Sequence, residues 1–209
     1  MVAVEGQGSR SPARVEFTLT REELCILKAE AESRHAFRRY AGRDDGWGRG
    51  LIKGEMVGPY GTIRAGAIGI LVGLVGEYIA SLYINRHFKD SCHVDLTKRK
   101  HGDGDCDLSP FGCPLQVKAR KFDGRKNRIR IESADGRAIP LRARAYLFSE
   151  WSGQHKASLI GWETRQQIKH WGTEQAPQGH INALAADDEL KPMSRLIAFL
   201  ESVRGMGAA

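Results

Sequence analysis

The stretch GDGDCDLSPFGCPLQVKARK, residues 102–121, decides how the rest of the chain is read. In its second half Leu115, Val117 and Ala119 alternate with Gln116, Lys118 and Arg120. Successive side chains of an extended strand point to opposite faces, so one face is apolar and the other carries an amide and two cations. The apolar face packs. A lysine flanked by apolar residues in a central strand is costly to bury unless an anion lies beside it. Upstream, Asp103, Asp105 and Asp107 alternate in the same way and would present carboxylates from a neighbouring strand. Asp107 stands nine residues before Gln116, room for a tight turn between two short strands.

Working outward, β-branched and alternating runs predict strands at 92–97, 105–109, 114–121, 127–132, 144–150 and 157–161. Thr20 with Glu23 forms a capping-box pattern ahead of Leu24, Leu27 and Ala31, which predicts a helix over 20–40. Seven glycines among charged residues make 41–64 a long loop. Further helices are expected at 66–86, 164–170 and 192–203, the last carrying an apolar stripe of Met193, Leu196, Ile197 and Leu200. Residues 1–14 read as a flexible tail, 15–209 as a single domain and 171–191 as a Gly/Pro/Gln linker. Helices followed by several strands and a final helix indicate an α/β or α+β protein with helices flanking a central mixed sheet.

The chain carries a net charge of +7, and 13 basic against 6 acidic residues lie between Lys98 and Arg144, so this one segment holds the whole surplus. A local basic field attracts a polyanion, and nucleic acid is the commonest. Arg120, Lys121, Arg125, Lys126 and Arg128 are therefore expected to contact phosphates. The four cysteines follow no CxxC spacing and the N-terminus has no apolar run of signal-peptide length, which predicts a reducing, cytoplasmic setting. The apolar stretch Ala65 to Ile84 contains Glu77 and four glycines, so a buried helix explains it better than a membrane span.

A carboxylate and an amide oxygen on adjacent strand ends, with a lysine two residues further along, form a hard oxygen site beside an ammonium group. Such ligands suit magnesium or manganese, which keep waters and bind phosphate oxygens. The metal activates a bound water while the lysine stabilises the attacking hydroxide. Hydrolysis of nucleic acid is the chemistry this combination fits.

Asp107 followed by Gln116-Val117-Lys118, with Gly76-Glu77 on the preceding helix, resembles the PD-(D/E)xK nuclease superfamily. The resemblance covers about residues 66–170, because AYLFSE and ASLIGWETRQQI look like the strands and helix that close such domains. It implies a restriction-endonuclease-like α/β core acting as a magnesium- or manganese-dependent endonuclease, with DNA as the partner. Asp107, Gln116 and Glu77 would ligate the metal, and Lys118 would be the catalytic lysine. Two positions depart from the pattern: Cys106 stands where a proline is usual, and Gln116 replaces the commoner acid. A neutral amide supplies less charge to a cation, so the alternative is a non-catalytic DNA-binding or assembly subunit that keeps the fold. Double-strand cleavage by one small domain usually requires a symmetric pair, so a homodimer or a larger nucleoprotein assembly is expected.

Other readings of these residues are weaker. An EF-hand starting at Asp103 fails because its sixth position is Leu108 and its twelfth Pro114. Zinc held by Cys92, His93, His101, Cys106 and Cys113 matches no familiar spacing. Trp47, Trp151, Trp162 and Trp171, with Tyr146 and Phe148, could stack on unpaired bases, although core packing is the commoner use.

Overall fold

The capping box at Thr20 forms as the sequence predicts: the Glu23 amide donates to Thr20 Oγ1 at 3.1 Å, and the Thr20 amide donates to Glu23 Oε2 at 2.7 Å. The computed structural model describes residues 14–40, 55–94, 106–121 and 126–206, without the side chains of 37–40, 55 and 56. In chain order the elements are β1 (Val15–Thr18), α1 (Arg21–Tyr40), β2 (Glu55–Gly58), β3 (Gly61–Arg64), α2 (Ile68–His87), β4 (Leu115–Lys121), β5 (Asn127–Glu132), β6 (Ala145–Trp151), β7 (Lys156–Thr164), α3 (Arg165–Ile168), β8 (Gly172–Gln175), β9 (Ile181–Ala185) and α4 (Met193–Met206).

The main sheet is mixed, with strand order β1-β7-β6-β4. β4 runs parallel to β6, and the other two pairs are antiparallel. Parallel neighbours need a long crossover, usually helical. Here residues 122–144 supply it, and their described part, 126–144, contains β5 instead of a helix. Leu115, Val117, Leu147, Leu159 and Trp162 bury the first sheet face against Leu24, Leu27, Leu71, Val75, Leu196 and Leu200 of α1, α2 and α4. The opposite face, through Tyr146, Phe148 and Ile160, joins Ile129, Ile168 and Ala183 in a second core. That side is covered by α3 and by a three-stranded antiparallel sheet ordered β5-β9-β8.

A mixed sheet flanked by helices is therefore present, and the second sheet is an addition to what the sequence predicted. Residues 171–191, read as a linker, form the hairpin β8–β9 instead. Its turn closes with the Ala176 amide donating to His180 O at 2.9 Å, and Gly179 supplies the positive φ of 85° that the turn requires. Part of the expected loop 41–64 is the hairpin β2–β3, while 41–54 lie outside the described residues. Of the expected strand 92–97, residues 92–94 form no strand and 95–97 lie outside the described residues; of 105–109, residue 105 lies outside and Leu108 makes only an isolated bridge to Leu115. Of the expected tail, 1–13 are not described, and Arg14 is held by ion pairs considered below.

α2 has the length and mean hydropathy, 1.8, of a membrane span. Two thirds of that window is buried within the protein, including Leu71, Leu74, Val75, Ile79 and Ile84. It is the central helix of the first core, as the glycines and Glu77 suggested.

Candidate active site

β4 is an outer strand of the main sheet, and its first half carries the candidate site. Leu115 and Val117 are buried toward α2, while Gln116 and Lys118 are half-buried on the opposite face. In the register with β6, Gln116 lies opposite Tyr146 and Lys118 opposite Phe148.

Asp107 is fixed to this strand twice. Its amide donates to Leu115 O at 2.8 Å, next to the antiparallel bridge in which the Leu115 amide donates to Leu108 O at 2.8 Å. Its side chain Oδ2 accepts from the Val117 amide at 2.6 Å, at the middle residue of Gln116-Val117-Lys118. The intervening turn is rigid for a visible reason. The Cys113 amide donates to Pro110 O at 2.8 Å, and Phe111 sits at φ 52°, a conformation unfavourable for any residue with a Cβ. Its ring packs edge-on against Phe88 at 5.2 Å and lies under the Arg204 guanidinium at 5.3 Å, so contacts from two helical regions hold the strained residue in place.

α2, which carries Glu77, packs on the face of β4 opposite Gln116 and Lys118. Gly76 is buried where the helix meets β4 and β6, and a Cβ built on it would lie 2.8 Å from Ala119 Cβ and 3.3 Å from Val117 Cγ1. Glu77, the next residue, is half-buried and, like Asp107 and Lys118, is engaged by neighbouring groups. The adjoining Tyr78 donates its hydroxyl to Glu23 at 2.7 Å, tying this turn of α2 to α1. Burial, reinforced by the Glu23 carboxylate, pushes Tyr78 up to about 12.

The residues expected to contact phosphate divide. Arg120 is turned into the protein: its Nε donates to Glu150 Oε1 at 2.7 Å, and it pairs with Asp187 at 3.0 Å. Arg14 binds the same two carboxylates at 2.6 and 2.7 Å. Glu150 is only 3% exposed, so these guanidiniums neutralise a charge that could not otherwise be buried. Asn127 donates to Asp187 at 2.9 Å and completes the cluster. Arg120 is thus part of the scaffold, a correction to the sequence reading, whose strand alternation could not reveal Glu150 and Asp187.

Lys121, Lys126 and Arg128 are exposed, and Arg125 lies outside the described residues. Arg130 joins them: it alternates with the buried Ile129 on β5 and is exposed like Arg128. The alternation in NRIRIE puts both arginines on one face of the strand. Partial desolvation and the nearby charges of Arg130 and Arg128 together lower the pKa of His180 below the usual histidine value.

Asp107, Gln116 and Glu77 each carry oxygen donors, the type a hard divalent cation takes, but Glu77 stands on the α2 side of β4 and Gln116 on the other. Among the described residues no three His, Cys, Asp or Glu side chains gather as a metal cluster. Burial pushes the Cys92 thiol up to about 11 and also raises Cys113. Asp103, Asp105 and His101 are outside the described residues.

Comparison of the chain with protein-family models, curated proteins and solved structures returns no match.

Proposed function

We propose that the chain is a metal-dependent endonuclease that hydrolyses DNA through a site of PD-(D/E)xK type. The observation that carries this reading is the hydrogen bond from the Val117 amide to the Asp107 carboxylate. It joins the aspartate to the middle of Gln116-Val117-Lys118, so residues separated by a turn act on one point of the strand.

Asp107 and Gln116 would hold magnesium or manganese. When bound, the ion supplies Lewis acidity that lowers the pKa of a water and withdraws charge from the phosphodiester. Lys118 shares a strand face with Gln116, where its ammonium orients the attacking oxygen and offsets the negative charge that develops on the phosphoryl group. The water oxygen bonds to phosphorus and the P–O bond to the leaving sugar oxygen breaks. One proton leaves the attacking water and one is taken up by the leaving oxygen. The exposed Lys121, Lys126, Arg128 and Arg130 would attract the polyanion.

The competing reading, a non-catalytic DNA-binding or assembly subunit, draws on Gln116 in place of an acid. One experiment separates the two. Purified protein is incubated with plasmid, linear and branched DNA, with magnesium, manganese or chelator. Cleavage that requires metal and falls at least about a hundredfold in Lys118→Ala, with DNA affinity retained, is the expected result. Binding without cleavage of any form by the wild-type protein would favour the non-catalytic subunit.

A further inference from the structure

We propose that a cleft beside α3 receives an unstacked nucleobase, so that the substrate presents a single-stranded segment; the ligand class rests on the nuclease reading above. The cleft measures about 400 Å³, within the range of small-molecule sites. Ile131, Leu141 and the buried Ile168 give it an apolar lining, half-buried Trp171 an aromatic one, and the exposed Arg165 and Lys169 two cations. The cations are four residues apart across α3 and its C-terminal cap, which places them on one helix face. Among the described residues no acidic side chain lines the cleft.

This combination selects its occupant. An apolar molecule would make no use of the two cations, and a plain anion none of the indole. A nucleotide uses both, stacking its base on an aromatic ring and placing its phosphate beside the cations. Bases in a duplex are hidden in the stack, so an unpaired one is required.

Among the described indoles, Trp171 is the one suited to the task. Trp151 and Trp162 are buried, with their N–H groups donating to Gln154 O and Pro192 O, and Trp47 is outside the described residues. Trp171 is braced from within by Phe148, ring centroids 5.6 Å apart. Phe148 is the register partner of Lys118. Cleft and catalytic strand are thus joined through one buried side chain.

The test measures binding in chelator, where cleavage cannot interfere, of an oligothymidylate and of a blunt duplex of two fully paired strands. Trp171→Ala should weaken oligothymidylate binding roughly five- to 150-fold, the worth of one base stacked on an aromatic ring. Trp171→Phe should retain most of the affinity, and duplex binding should be unchanged in both. Because Trp171→Ala removes packing against Phe148, the exposed pair Arg165→Ala with Lys169→Ala provides an independent arm. It should reduce the salt slope for the oligothymidylate by about 1.4, at about 0.7 per phosphate on single strands. Absence of oligothymidylate binding by the wild-type protein, or equal losses for both DNAs in the variants, would overturn the proposal. Failure of the nuclease reading looks different: no cleavage with either metal, with these binding dependences intact.

Discussion

Replacing Gly76 by alanine adds one methyl group at the closest contact between α2 and the main sheet. On an unobstructed helix the change would stabilise by about 1 kcal/mol, because glycine loses more backbone freedom on folding. Here the new Cβ would lie 2.8 Å from Ala119 Cβ, which has no rotamer to move, and closer still to Ser149 Oγ. Overpacking of this kind costs about 1–3 kcal/mol, and the fixed Ala119 favours the upper half of that range. A net destabilisation of about 1–2 kcal/mol is expected. Gly73 is the internal control, since nothing lies within 4 Å of a Cβ built there. Gly73→Ala should gain about 0.5–1 kcal/mol. The two variants should therefore differ by several degrees in midpoint, at about 2–4 °C per kcal/mol for a chain of this size. Thermal unfolding followed by circular dichroism reads this directly. Adding Ser149→Ala to Gly76→Ala should recover part of the loss, because Ser149 Oγ is buried with no hydrogen-bond partner among the described residues and its removal leaves nothing unpaired. Equal midpoints for Gly76→Ala and Gly73→Ala would refute the close seating of α2, and with it the placement of Glu77.

Arg120→Ala leaves the buried Glu150 with Arg14 alone, and should destabilise by about 3 kcal/mol, the low end for breaking a buried pair; denaturant titration checks this. By contrast Arg128→Ala with Arg130→Ala should leave stability unchanged and flatten the logarithmic salt dependence of duplex binding by about 1.8. Burial opposes ionisation of Glu23, but hydrogen bonds from Thr20 and Tyr78 outweigh it and lower its pKa. Its contribution to stability is accordingly present above the unfolded carboxylate value and is lost as pH falls through the lower folded value. Tyr78→Phe should narrow the stability difference from wild type as the pH is taken down through that window, as measured by unfolding at a series of pH values.

What could be read in the sequence was whatever local periodicity or capping determines. The Thr20–Glu23 box, the apolar glycine-bearing helix and the alternation of Leu115 to Lys121 all signal structure within a few residues, and each element formed. Gly172–Gln175 is exposed and has no apolar alternation, so its strand depends wholly on pairing with Ile181–Ala185. Glu55–Gly58 and Gly61–Arg64 were masked by the surrounding glycines in the same manner. At the candidate site, Asp107, Gln116 and Lys118 were legible as a spacing on one strand and a turn. Arg120 looked like its neighbours until Glu150 and Asp187, 30 and 67 residues further along, came beside it. The cleft of Arg165, Lys169 and Trp171 was invisible for the same reason, since its other wall comes from Ile131 and Leu141.

The pairing of β1 with β7 sets Val15 against Leu159 and has a consequence for biosynthesis. At translation rates of 5–20 residues per second, the first strand waits roughly 7–30 s for its partner to be made. Arg14 beside it must wait longer still, until Asp187 has emerged. During that interval α1 and α2 are present without a sheet to cover them, and the apolar α2 is the segment most exposed to the wrong neighbours. Contacts so distant in sequence also slow folding after release, because the loop must close before either end gains from it. Nascent chains of this protein should therefore depend on a holding chaperone until β7 is complete.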